Sequence, residues 1–207
     1  MGDAFSHEGL HEGFSTAANQ VFDFIEQEIR SFYSLEVDKT TFVICGHSRG
    51  AAVGNLLGKR LVDDAANTSR FYCYSFSCPD AAHRANYDWR LRGLLDSMFN
   101  ISDASDPVSW LPGNLGSVLG GSAALSLYPL NGCDLADMSA DWGKFGLSRW
   151  FRNDQPNSGN ALNPFAGHDP KYCLSYLATL PKFDDFMLFS DAQSFERSFW
   201  DVATTMG

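Results

Sequence analysis

The sequence predicts an α/β domain in which a mostly parallel sheet is covered by helices on both faces. Three apolar runs, Thr41–Cys45, Phe71–Ser77 and Met98–Ser102, have the length and the β-branched or aromatic character of buried strands. Helical patterns alternate with these runs, and such alternation is typical of a parallel sheet. Because right-handed crossovers join parallel strands, helices are expected on both faces.

Helices are predicted from apolar residues that recur every three or four positions. The first pattern runs from Phe14 to Phe32, with Ser15 or Thr16 near its start. The second covers about Ala51–Ala65 and is rich in small residues, which would let the helix approach the strands closely. Later helices are expected at Leu135–Trp142, Tyr172–Leu180 and Ser194–Thr204.

Composition and charge limit the classes of function. The 207 residues, 44% of them hydrophobic, suit a single domain over residues 1–207 with a sizeable core. The formal net charge of −10 argues against a nucleic-acid partner, because phosphate binding needs a concentrated basic surface. It also argues against lasting attachment to anionic membranes.

The cysteines do not indicate a disulfide framework or a zinc site, and the uncharged tract does not indicate a transmembrane segment. The five cysteines are odd in number and form no CxxC, so no zinc site or disulfide framework is predicted, and Cys45 and Cys73 are expected to be buried. The uncharged tract Pro107–Cys133 is interrupted by proline and asparagine, so no transmembrane segment is expected. No signal peptide is recognised, and the compartment stays open.

A sharp strand-to-helix turn is predicted at Gly46-His47-Ser48-Arg49-Gly50. Glycines two residues before and after the serine remove Cβ atoms that would clash in such a turn. The turn would present Ser48 above the sheet, at a helix N-terminus that favours developing negative charge. This context predicts a nucleophile, whereas the alternative is a glycine-rich turn in which Ser48 only caps the helix.

A nucleophilic serine needs a basic partner, and the order serine, acid, histidine is typical of this architecture. His168 leaves a long stretch after Ser48 that can hold the acid, whereas His83 follows the second strand closely and is the weaker candidate. His47 lies inside the turn, and its side chain is expected to point away from that of Ser48.

Two aspartates follow the third strand at the same edge of the sheet as the serine. Asp106 is favoured as the acid because Pro107 fixes its loop and biases Asp106 to an extended backbone, and Asp103 is the second choice. The alternative is that both aspartates only solvate a turn.

These residues lie in four stretches that together resemble the class 3 (fungal-type) lipases of the α/β-hydrolase superfamily. The stretches are HEGF, CGHSRGAAVGNLL, YSFSCPD and FNISDASDPVSWLP, with fainter similarity at WGKFG and HDPKYCLSYL. The resemblance implies an α/β-hydrolase-like fold and a lipase or esterase acting on lipid or acylglycerol esters. By position, it implies Ser48 as nucleophile, Asp106 as acid and His168 as base, with no cofactor and no metal.

The chain departs from the family pattern ahead of His11. Family members have strands before this point, and a loop there supplies one oxyanion donor, so the chain is interpreted as N-terminally truncated. The backbone N–H of Arg49 is then the one oxyanion donor that can be named. The sheet is expected to have an exposed edge that invites association with another chain. Contact with a lipid interface would be transient.

Several alternatives stay open at this point. The same scaffold could serve a peptidase, thioesterase or acyltransferase, or a catalytically weak or inactive hydrolase-like binding domain. The tract Leu115–Leu130 is a hypothetical acyl-pocket lining or lid, with a surface loop as the alternative. Asp134, Asp137 and Asp141 lack the glycine and terminal glutamate of a calcium loop, so a metal site is not favoured there.

Overall fold

A computed structural model describes residues 9–32, 40–63, 70–83, 95–103, 106–111, 142–151, 166–178 and 187–188, and every structural statement below concerns these residues. The helices are α1 (Glu12–Phe32), α2 (Arg49–Asp63) and α3 (Pro170–Leu177). The strands are β1 (Thr41–His47), β2 (Arg70–Phe76), β3 (Ala82–His83), β4 (Met98–Asp103), β5 (Trp142–Gly143), β6 (Leu147–Phe151) and β7 (Met187–Leu188). Two 3-10 turns cover Pro107–Trp110 and Ala166–His168.

The main sheet has the strand order β1-β2-β4-β6-β7. The first four strands are parallel, and β7 runs antiparallel to β6. A separate antiparallel pair joins β3 to β5, and Leu10 bridges to Ala82 beside it. The predicted mostly parallel sheet is therefore confirmed, with a short antiparallel strand at one edge.

Helices pack on both faces of the sheet. The larger core lies on the α1–α2 face, where Ala18 and Phe22 of α1 join Ala51 and Leu57 of α2. Gly58 lets α2 approach the strands, since a Cβ at this position would lie 3.0 Å from Met98 Cε. A smaller core on the other face contains Ile101 of β4 and Cys173 of α3.

The first helix and strand differ from their predicted descriptions. Helix α1 begins at Glu12, earlier than Ser15 or Thr16, and an acidic residue in a first turn is favoured by the helix dipole. No residue of strand β1 is fully buried, since its residues are either exposed or half-buried. No other described strand pairs with the side of β1 that faces away from β2.

The two cysteines in β1 and β2 differ in burial because their side chains lie on opposite faces of the sheet. The prediction that Cys45 is buried is wrong, because Cys45 is exposed on the face of β1 opposite α2. Cys73 in β2 is buried under α2, as expected, with its Sγ 3.6 Å from the Gly54 carbonyl oxygen. Residue type alone could not separate the two cases, since each sits in an equally apolar run.

Strands β5 and β6 were missed by the sequence patterns, and Trp142, the predicted end of a helix, belongs to β5. The other predicted features of this region lie outside the described residues. They are the tract Leu115–Leu130, the aspartates Asp134, Asp137 and Asp141, and the helix Ser194–Thr204. Among the described helices, none has the length and apolar character needed to cross a bilayer.

Candidate active site

Ser48 lies in a strained turn between the end of β1 and the start of α2. Its φ of 56° is in the left-handed region, which non-glycine residues adopt rarely. The Ser48 N–H donates to the carbonyl oxygen of Phe76 at 3.0 Å, and the Ser48 carbonyl accepts from Ala51 N–H at 2.9 Å. A Cβ on Gly46 would overlap the carbonyl of Gly50. These constraints explain why the turn carries glycine at that position.

Ser48, His168 and Asp106 form one hydrogen-bonded chain. The distance from His168 Nε2 to Ser48 Oγ is 2.8 Å, and that from His168 Nδ1 to Asp106 Oδ2 is 2.9 Å. Because a carboxylate only accepts, Nδ1 carries the proton and Nε2 is left to accept from the serine hydroxyl. The arrangement therefore has the directionality that a serine nucleophile requires.

Asp106 is fully buried and is held by its own turn. Its φ and ψ of −78° and 107° are extended, as expected before a proline, and it caps the 3-10 turn that Pro107 begins. Asp106 Oδ1 accepts from Val108 N–H at 2.9 Å, and Oδ2 also accepts from the Ser109 hydroxyl at 3.1 Å. These bonds fix the carboxylate in the orientation that His168 uses.

A buried lysine ties this turn to the rest of the fold. Lys144 Nζ donates to the carbonyl oxygens of Cys78 at 2.6 Å and Ser109 at 2.8 Å, and lies 3.2 Å from Asp80 Oδ1. Both charged side chains are fully buried. Sequence reasoning missed Lys144, although a single charge in the otherwise apolar run Trp142–Gly146 was a signal that could have identified it.

The other candidate residues are not part of the hydrogen-bonded series of Ser48, His168 and Asp106. His83, the weaker base candidate, lies in β3 with its ring 4.1 Å from that of Trp142. Asp103, the second choice for the acid, accepts the Asp106 N–H through its backbone carbonyl at 3.0 Å. His47 Nε2 lies 3.0 Å from the His168 carbonyl oxygen, so this side chain contacts the backbone of the candidate base.

Arg49, the predicted oxyanion donor, is the first residue of α2 and its side chain is exposed. A first helical residue has no N–H acceptor within its own helix, so this N–H is available at the turn. No group of metal-ligating side chains large enough to hold an ion occurs in the described ranges.

An apolar cavity of about 350 Å³ adjoins the turn at Ser48 and the start of α3. Cys45, His47 and Phe76 line it from the sheet, and Pro170, Cys173 and Leu174 line it from α3. Burial, together with the charges of Asp103 and Asp106, raises the pKa of the Cys173 thiol to about 12. Cys173 is therefore an uncharged, apolar part of this wall at neutral pH.

Two solved structures match this chain at low sequence identity. A mutant form of MDLA from Penicillium cyclopium matches with 17% identity and a TM-score of 0.47, over 86% of this chain and 47% of that chain. A structure described as showing an unusual buried polar cluster in a family of fungal lipases matches with 21% identity and a TM-score of 0.42, over 67% of this chain and 40% of that chain. The chain thus spans less than half the length of either protein.

The comparison with protein families identifies the family to which the chain belongs. No curated protein matches the chain significantly. The family described as lipase (class 3) matches residues 3–115, more than half of the 207 residues, and this range includes the turn at Ser48 and the segment with Asp106. The chain therefore belongs to the class 3 lipase family.

Proposed function

We propose that the protein is a serine hydrolase that cleaves carboxylic esters, with lipid or acylglycerol esters as substrates. The observation that carries the proposal is the hydrogen-bonded chain from Ser48 Oγ through His168 to Asp106, with distances of 2.8 and 2.9 Å. Membership of the class 3 lipases supports ester hydrolysis as the reaction class.

In the proposed mechanism, Ser48 Oγ attacks the carbonyl carbon of the ester while His168 Nε2 takes the hydroxyl proton. Asp106 stabilises the resulting imidazolium. The tetrahedral intermediate then collapses, and the alcohol leaves with the proton from His168. Water, deprotonated by His168, attacks the acyl-serine and releases the carboxylic acid, which restores Ser48.

The negative charge on the intermediate is assigned to the N–H of Arg49. This group lies at the N-terminus of α2, where the helix dipole also favours an anion. One donor of an oxyanion hole is worth on the order of 10²–10³ in rate. A second donor is not identified among the described residues.

An apolar acyl group is the proposed specificity. The cavity lined by Cys45, Phe76 and Leu174 lies beside the catalytic groups and offers an apolar environment. Its volume of about 350 Å³ is within the range of small-molecule sites. Peptidase, thioesterase and acyltransferase activities use the same nucleophile, and a binding role without catalysis is the other alternative.

Labelling with a fluorophosphonate tests the proposal directly. We expect stoichiometric modification of the folded chain, with the adduct mapped to Ser48 by peptide mass spectrometry, and no modification of Ser48→Ala. Ser31→Ala, which changes an exposed serine of α1, is the matched control and should label as the wild type does.

A panel of esters, thioesters and peptides then separates the alternatives. Turnover that rises with acyl chain length would support a lipid ester, whereas preferential turnover of peptides would favour a peptidase. A folded wild-type chain that neither labels nor hydrolyses any ester would contradict the proposal and favour the binding role.

Ser109→Ala is expected to lower kcat about tenfold with little change in KM, since it removes one hydrogen bond to the Asp106 carboxylate but not the bond from Val108. Steady-state hydrolysis of a chromogenic ester measures both constants. Ser148→Ala is the control, because Ser148 is equally buried and its hydroxyl has no hydrogen-bond partner in the described part of the chain. An equal loss of kcat in both variants would refute the role given to Ser109.

A further inference from the structure

We propose that His47 is a positioning residue for the catalytic base: its Nε2–H holds the backbone carbonyl of His168 and so fixes the imidazole of His168 between Ser48 and Asp106. The inference rests on the proposed function, because it concerns the same site. It assigns a role to a residue that the sequence patterns treated only as part of the turn.

The first support is that two consecutive residues of one turn form hydrogen bonds with the same distant residue, His168. His47 Nε2 lies 3.0 Å from the His168 carbonyl oxygen, and Ser48 Oγ lies 2.8 Å from His168 Nε2. Hydrogen bonds from the end of β1 and the following turn therefore hold both the backbone and the ring of His168. The bonds of the ring to Ser48 and Asp106 do not hold the backbone of His168, and the bond from His47 does.

The second support is that the hydrogen bond has a defined direction. A carbonyl oxygen can only accept, so Nε2 of His47 must carry the hydrogen. The pKa of His47 is lowered, first by burial and then by the positive charge that His168 can carry, while the His168 carbonyl, Asp106 and Asp169 oppose the shift. His47 is therefore neutral at pH 7, in the Nε2–H tautomer.

The third support is the local structure of the segment that carries the base. His168 ends a three-residue 3-10 turn, and α3 begins only at Pro170. Asp169 caps α3 by accepting Lys171 N–H through its side chain at 2.9 Å and Cys173 N–H through its backbone at 3.3 Å. The His168 carbonyl lies just before this helix, so the His47 bond restrains a point that the helix itself does not.

The rings of His47 and His168 also contact each other, with centroids 4.9 Å apart and planes tilted by 37°. A purely space-filling role for His47 would therefore preserve activity in any variant of the same shape. Positioning through the hydrogen bond instead requires a donor at the place of Nε2, and this difference makes the two roles separable.

Three variants of His47 test the proposal. His47→Gln places an amide N–H near the position of Nε2, His47→Asn carries the same amide but is too short to reach, and His47→Phe keeps the ring shape without a donor. We expect kcat for ester hydrolysis to fall about 10- to 100-fold in His47→Asn and His47→Phe and by less than about threefold in His47→Gln. Because His47 also lines the apolar cavity, KM is compared for an acetate ester, which makes the least use of that cavity, and should change by less than about twofold in His47→Gln.

Thermal melting of each variant shows whether it folds, and the glutamine–asparagine pair keeps the test valid if His47→Phe does not fold. Wild-type kcat in His47→Phe or His47→Asn would overturn the proposal. So would a folded His47→Gln that is as impaired as His47→Asn.

A measurement that does not depend on activity is the ¹⁵N spectrum of the histidine-labelled chain at pH 7. We expect the imidazole shifts of His47 to report the Nε2–H tautomer, and the Nδ1–H tautomer would overturn the proposal. A wild-type chain that shows the expected tautomer but neither labels at Ser48 nor hydrolyses esters would instead refute the proposed function, and with it the catalytic value of this hydrogen bond.

Discussion

Asp106→Asn is expected to lower kcat by about 10⁴ while the chain stays folded, the size of effect seen when the acid of a serine triad becomes an amide. The substitution keeps the shape of the side chain but replaces one carboxylate oxygen by an NH₂ group. The expected loss therefore comes from the chemistry of the hydrogen bond to His168 rather than from repacking.

The two orientations of the amide are not equivalent in this site. With the oxygen toward Val108, that oxygen accepts the Val108 N–H, and the NH₂ group points at His168 Nδ1. Nδ1 must then accept, so the hydrogen moves to Nε2 and the ring can no longer take the proton of Ser48. The reverse orientation sets the NH₂ group against the Val108 N–H, two donors face to face.

Measurement of kcat against pH for a short-chain ester tests this prediction, with circular dichroism and thermal melting to show that the variant is folded. Asp103→Asn is the matched control, because Asp103 is also buried at the end of β4 but is not part of the hydrogen-bonded chain of Ser48. We expect Asp103→Asn to retain at least about a tenth of wild-type kcat. A folded Asp106→Asn with near-wild-type kcat would contradict the assignment of the acid.

The features predictable from the sequence are those that local chemistry dictates. The turn at Ser48 needs glycine at Gly46, because a Cβ there would overlap the backbone of Gly50. The extended backbone of Asp106 follows from Pro107, and its capping of the turn follows from the short acceptor side chain. Chain order then favoured His168 as the candidate base, and its Nε2 lies 2.8 Å from Ser48 Oγ.

The features that escaped prediction depend on which distant segments meet. Cys45 and Cys73 lie in similar apolar runs, yet only Cys73 is buried, since its side chain lies on the sheet face that α2 covers and that of Cys45 lies on the opposite face. His47 contacts a carbonyl 121 residues away, and no local pattern encodes that contact. Sequence periodicity describes one strand at a time, whereas burial and partners belong to the assembled sheet.

Lys144→Met should lower the free energy of unfolding by about 3–5 kcal/mol. Lys144 is a further residue whose contacts with distant segments could not be predicted from the sequence. The substitution keeps the length of the side chain but removes a fully buried cation that lies 3.2 Å from the buried Asp80 carboxylate. It also removes the donor to the carbonyl oxygens of Cys78 and Ser109. Total stabilities of about 5–15 kcal/mol make this a large fraction of the whole.

Denaturant unfolding of the wild type and Lys144→Met measures the difference. Lys59→Met is the control, because Lys59 pairs with the half-exposed Asp63 on the surface of α2, and the expected loss there is below about 1 kcal/mol. The double variant Lys144→Met with Asp80→Asn should be more stable than Lys144→Met alone, since it no longer buries a carboxylate without its cation. An unchanged unfolding midpoint in Lys144→Met would contradict this reasoning.

Where Lys144→Met is folded, its activity carries a second expectation. Lys144 holds the carbonyl of Ser109, and the hydroxyl of Ser109 donates to Asp106 Oδ2, so the lysine acts on the carboxylate through one intervening residue. Loss of the lysine should therefore lower kcat more than KM, in the same direction as Ser109→Ala. Combining the two substitutions should give less than the product of their separate effects, because both loosen the same turn.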